Sequence, residues 1–175
     1  MKKGKLILMA ILVATMARSQ SAPISDRAKE RIVKETRHEI LTLPYFDVFD
    51  NINFRVDGYT VTLMGQVTQP TIKSDAEKAV KGIEGVESVI NEIEVLPVSP
   101  NDDRSRVALY RAIYGFSSLQ RYALPVIKPI RIIVKNGHVT LEGVVDSEGD
   151  KNVVTLRANG VHGVFSVTNN LRVEK

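Results

Sequence analysis

Val61-Thr62-Leu63-Met64-Gly65-Gln66-Val67 returns 78 residues later as Val139-Thr140-Leu141-Glu142-Gly143-Val144-Val145. The correspondence runs without a gap from Val56–Val95 onto Val134–Val173, and 14 of those 40 positions are identical. Further along, Gly82, Gly85, Val86, Ser88, Val89, Asn91 and Val95 fall on Gly160, Gly163, Val164, Ser166, Val167, Asn169 and Val173. Matches in one order at one offset are the mark of a duplicated folding unit, which fixes the architecture before any single element is assigned.

Each copy reads as α-β-β-α-β. Its charged first segment, Asp26 to Leu41 or Arg104 to Gln120, carries apolar residues at helical spacing. Two extended runs follow, Ile52–Val56 with Thr60–Val67 and Ile130–Val134 with His138–Val145. Asp57-Gly58 and Asn136-Gly137 between them tolerate the positive φ of a hairpin turn, the first turn reading as one residue shorter. A second helix spans about Pro70 to Lys81, its counterpart lies near Glu148 to Ala158, and alternating runs Val86–Val95 and Val164–Val173 close the units. Alternation puts Val61, Leu63, Gly65 and Val67 on one strand face. Two helices on that face make a two-layer sandwich over a mixed three-stranded sheet. The hairpin makes the first two strands antiparallel, and a right-handed crossover makes the last two parallel. The fold class is α+β: two tandem small α/β sandwiches.

The chain opens on Lys2, Lys3 and Lys5, then an apolar run from Leu6 to Ala17 too short for a permanent span. That is the pattern of an export leader over residues 1–22, followed by units at 26–95 and 104–175 with a proline-stiffened linker at 96–103. Lys2, Lys3, Lys5 and Arg18 account for the whole formal net charge of +4. Without the leader the chain is near neutral, so its basic isoelectric point does not argue for nucleic acid. There is no cysteine, which excludes disulfides, thiolate metal sites, a cysteine nucleophile and an acylated cysteine anchor.

A turn with glycine, Val-Thr-Leu-x-Gly-x-Val, a helix, then Gly-Val-x-x-Val-x-Asn before a closing valine, given twice, resembles the BON domain. The resemblance implies a non-catalytic role in the bacterial envelope: attachment to anionic phospholipid surfaces, in the manner of osmotically induced periplasmic members, or alternatively a protein-interaction or chaperone-like role. It implies the periplasm as compartment, no cofactor, no nucleic-acid partner and no membrane span once the leader is gone.

The charge is divided between the copies. Asp26–Val95 holds 9 basic and 13 acidic residues, Arg104–Lys175 holds 11 and 5. In the second, Arg104, Arg106, Arg111, Arg121, Lys128, Arg131 and Lys135 precede any carboxylate, and Tyr122 lies in the apolar run Tyr122-Ala123-Leu124-Pro125-Val126-Ile127. Arg104, Arg106, Arg111, Arg121, Tyr122 and Lys128 are the candidate lipid or anion contacts. The plain alternative is that this run, like Pro44–Phe49 in the first copy, folds beneath its helix. Gly65, Gly85, Asn91, Gly143, Gly163 and Asn169 read as structural: Gly65 and Gly143 as places where a helix approaches the sheet, Gly85 and Gly163 as tight turns, and the asparagines as side chains bonded to backbone or at a bulge. Gly82-Ile83-Glu84-Gly85 has the spacing of a KH nucleic-acid loop but joins a helix to a strand. His38, His138 and His162 have no partner at metal spacing, and no carboxylate pair or nucleophile motif stands out, so no catalytic residue and no metal site is assigned.

Overall fold

The computed structural model describes residues 25–174; the leader expected over residues 1–22 lies outside them. The first unit runs α1 (Asp26–Leu41), β1 (Asn51–Asp57), β2 (Thr60–Val67), α2 (Pro70–Lys81) and β3 (Ser88–Val95). The second runs α3 (Pro100–Tyr114), a 3-10 segment (Ser117–Ala123), β4 (Ile130–Lys135), β5 (His138–Val145), α4 (Glu148–Asn159), β6 (Ser166–Asn169) and β7 (Arg172–Val173). The α-β-β-α-β pattern is therefore present twice.

Both sheets are mixed, with the second strand in the middle. β1 and β2 are antiparallel with Phe54 opposite Leu63, and β2 and β3 are parallel with Leu63 beside Asn91. The second sheet repeats this register, with Ile132 opposite Leu141 and Leu141 beside Asn169. Its third lane is broken into β6 and β7 around Asn170, whose N–H nevertheless donates to the Leu141 carbonyl at 2.8 Å. Val61, Leu63 and Val67, and equally Val139, Leu141 and Val145, are buried under the helices.

Three local readings are corrected. α3 begins at Pro100 rather than Arg104 and ends at Tyr114, because the Ser99 hydroxyl accepts from Asp102 N–H and Gly115 caps the far end. The two hairpin turns are of equal length, since Asp57 pairs with Thr60 and Lys135 with His138. Gly65 and Gly143 face a neighbouring strand, not a helix. A Cβ there would lie 2.1 Å from the Asn51 carbonyl oxygen and 1.9 Å from that of Pro129, and both residues have φ near +120°.

Asn91 and Asn169 do identical work. Each side-chain amide donates to the carbonyl of the second helix, Lys73 or Lys151, at 3.0 Å. Each side-chain oxygen accepts the N–H two residues on, Ile93 at 3.2 Å or Leu171 at 2.9 Å. One side chain thereby fastens the last strand to the helix that precedes it.

Candidate functional site

The loop after α1 leaves its own unit. Its length and its apolar residues, Phe46, Val48 and Phe49, let it reach the exposed edge of β4, where Ile132 N–H donates to the Val48 carbonyl at 2.8 Å. The Val48 side chain enters the hydrophobic core of the second unit, and the Phe49 ring meets Tyr110 edge-on at 6.4 Å. Arg131 stacks over Phe46 and donates to the Asp47 carbonyl at 2.5 Å. Asp50, fully buried, turns the loop by accepting from Thr68 N–H, Thr68 Oγ1 and Asp47 N–H. A Lys135–Glu94 ion pair joins the sheets. Burial, helped by the Asp50 charge and opposed by Phe49 N–H and Arg131, raises the Asp47 carboxyl above its ordinary value.

The equivalent loop of the second unit divides instead of folding under as a whole. Tyr122 turns inward: its hydroxyl accepts from Asp146 N–H at 2.8 Å and donates to Asp150 at 3.0 Å. Arg121 lies over the Tyr122 ring and binds Asp146 and Asp150. Burial favours a neutral Asp150, but bonds from Ser147, Tyr122 and Arg121 outweigh it and hold the carboxyl below its ordinary value. Burial also raises the Tyr122 phenol. Beyond this anchor, Leu124 and Val126 stand 82% and 96% exposed, with Ile127 partly so. Pro125 within the tip and Pro129 after it keep it from continuing the 3-10 segment or starting β4 early.

The basic residues singled out from sequence fall into two groups. Arg106 is only 5% exposed; it donates to Asp103 at 2.5 Å and to the Val134 carbonyl at 2.7 Å, so it ties α3 to β4 and is not an outward contact. Tyr122 and Arg121 are likewise spent on the Asp146–Asp150 cluster, as Arg131 and Lys135 are on the first unit. Arg104 and Arg111 project from α3 two turns apart, with exposed Val107 between them on the same face. Lys128 stands at the base of the apolar tip, its Nζ donating to the Pro125 carbonyl at 2.6 Å. Arg104, Arg111 and Lys128 therefore remain as outward cations, while Leu124, Val126 and Ile127 are apolar contributors absent from the basic pattern. Pro125 and Pro129 are the sequence signal that marks them.

A concavity of about 560 Å³ lies at the start of α3 between Arg104, Asn136, His162 and Phe165. Its floor is already committed, because the buried Asp102 carboxylate accepts from Asn136 and Gly137 N–H at 2.8 Å each.

Among solved structures the chain is similar to CdsD, a structural protein of the type III secretion system of Chlamydia trachomatis. Identity is 14% over 82% of this chain and 92% of that one, with a TM-score of 0.31. For the C-terminal domain of CdsD, identity is 13% over 82% and 98% of the chains, with a TM-score of 0.29. No curated protein matches the sequence. The BON domain matches residues 25–97 and 118–175, which hold the repeated strands, glycines and asparagines; the second match begins after α3. The chain belongs to the BON domain family and carries two BON domains in tandem.

Proposed function

We propose that this protein is a non-enzymatic module of the bacterial envelope, exported by a leader at residues 1–22, that attaches to anionic phospholipid surfaces through its second domain. The observation that carries the reading is the tip Leu124–Ile127, an apolar projection held out by a rigid anchor at Tyr122 and flanked by Lys128. No helix among the described residues is long and apolar enough to cross a membrane, so attachment would be interfacial.

Magnitudes decide which part dominates. Each apolar side chain moved out of water contributes about 1.5–3 kcal/mol. Each cation near an anionic surface contributes about 1 kcal/mol and is screened by salt. The tip therefore sets the affinity, and Lys128 at its base sets the preference for anionic lipid, with Arg111 and Arg104 farther off along α3.

Co-sedimentation with vesicles tests this. Binding to anionic vesicles at low salt should fall but persist at high salt, and Leu124→Asp with Val126→Asp should weaken it more than Arg104→Glu with Arg111→Glu. Absence of binding at low salt, or indifference to both pairs of changes, contradicts the reading. Osmotic or envelope stress is the setting in which such a module would act. The alternative partner, an envelope protein, is favoured by a different surface.

A further inference from the structure

We infer that the groove between α1 and the open edge of β1 is a docking site for a short apolar turn flanked by carboxylates, supplied by a partner protein. This does not depend on the lipid reading, since it concerns other residues, chiefly of the first domain.

The second domain shows what the same position does when filled. There the edge of β4 is met by the turn Phe46-Asp47-Val48-Phe49-Asp50, closed by Asp50 N–H on the Asp47 carbonyl at 3.2 Å, with Ile132 N–H bonded to Val48 and Phe49 against Tyr110 of α3. Shifted back 78 residues, Ile132 becomes Phe54. The register is the same, Phe54 opposite Leu63 as Ile132 is opposite Leu141, so the Phe54 N–H also points away from its sheet. No segment among the described residues pairs with that edge. Burial records the difference: Ile130, Ile132 and Val134 are fully buried, whereas Ile52 and Val56 are at the margin of burial and Phe54 is partly exposed.

The vacant position is a groove of about 440 Å³. Ile52, Asn53 and Phe54 line it consecutively, so it opens on the strand's backbone, and Lys29, Val33 and Arg37 face it from successive turns of α1. A segment seated as residues 46–50 are on β4 would take one main-chain bond from Phe54 N–H and draw the rest of its affinity from apolar side chains. Here the selectivity is electrostatic, because Lys29 and Arg37 stand on the rim and no carboxylate lines it; Arg172 of β7 also reaches it but is paired with Glu174 at 3.6 Å.

That charge excludes the chain's own second loop. Lys128 occupies the position that Asp50 holds in the first loop, Ile127 and Val126 follow a proline, and Val126 remains almost wholly exposed. A segment of the type Phe-Asp-Val-Phe-Asp suits the rim, and the chain's own residues 44–50 supply a probe of that chemistry.

The test titrates a synthetic peptide of residues 44–50 into the isotopically labelled chain lacking residues 1–22, followed by amide chemical shifts. Saturable shifts at Phe54 and Arg37 are expected. Arg37→Glu and Lys29→Glu, both at exposed positions and compatible with folding, should each weaken binding by about tenfold. The peptide with both aspartates changed to lysine should not bind. No binding of the acidic peptide, equal binding of both peptides, or shifts confined to Ile132 and Tyr110 would overturn the proposal. So would concentration-dependent self-association that perturbs Phe54 without peptide, which would make a second copy the occupant.

Discussion

Ile132 N–H donates to the carbonyl of Val48 across 2.8 Å, so a loop that belongs to the first BON domain is bonded to the sheet edge of the second. The two domains are thereby coupled by main chain as well as by the Val48 side chain, and the coupling is directional: the first domain donates a loop and the second receives it.

Val48→Ala should therefore destabilise the domain it does not belong to. Removing two methyl groups from that core costs about 2 kcal/mol. Hydrogen exchange checks this, as the Ile132 amide should lose protection while amides of β2 keep theirs. Unchanged protection at Ile132 would mean that the loop does not bear on the second core.

Asp150→Asn should cost about 2 kcal/mol at neutral pH, because it weakens charge-assisted bonds from Arg121, Tyr122 and Ser147. The native carboxyl titrates below its unfolded value, so its contribution is present above about pH 4 and is lost as pH falls through the native value. Urea unfolding of both proteins from pH 7 to pH 3 should show a gap that closes toward acid. A gap independent of pH would remove the ionised carboxylate from the account.

Thr36→Val should stabilise the protein by about 1 kcal/mol. The Thr36 hydroxyl is fully buried with no hydrogen-bond partner, and the matching buried stripe of α3 carries Leu109. Exchanging an unsatisfied polar group for a methyl of equal size removes a desolvation cost. A lower melting temperature for the variant would show that the hydroxyl is satisfied in solution.

Gly143→Ala should cost more than about 3 kcal/mol, since positive φ and a Cβ 1.9 Å from the Pro129 carbonyl oxygen act together. A urea midpoint close to the wild-type value would contradict the strand contact as described.

The fold was legible because repetition and alternation agree. Val61, Leu63 and Val67 share a face in the sequence and in the core, and a turn glycine marks each hairpin. Asn91 and Asn169 could be read as bonded to backbone because an amide among valines needs a partner. The surface was less legible, since formal charge does not tell which cations are already paired. Arg106 and Arg121 look like Arg104 and Arg111 in a string of letters, yet Arg106 is buried against the Val134 carbonyl and Asp103, and Arg121, still at the surface, is held by Asp146 and Asp150. The two apolar loops are equally ambiguous. Val48 and Val126 occupy the same repeat position, and only the tertiary arrangement buries one and leaves the other in water.

Because the chain has no cysteine, Val126→Cys provides a single labelling position at the tip. An environment-sensitive fluorophore attached there should shift to the blue and become shielded from aqueous quencher when anionic vesicles are added, while the same label at Glu92→Cys should not change. If the label at position 126 stays water-exposed on vesicles that carry the protein down, or if the label at position 92 is the one that becomes shielded, the second-domain tip is not what meets the membrane.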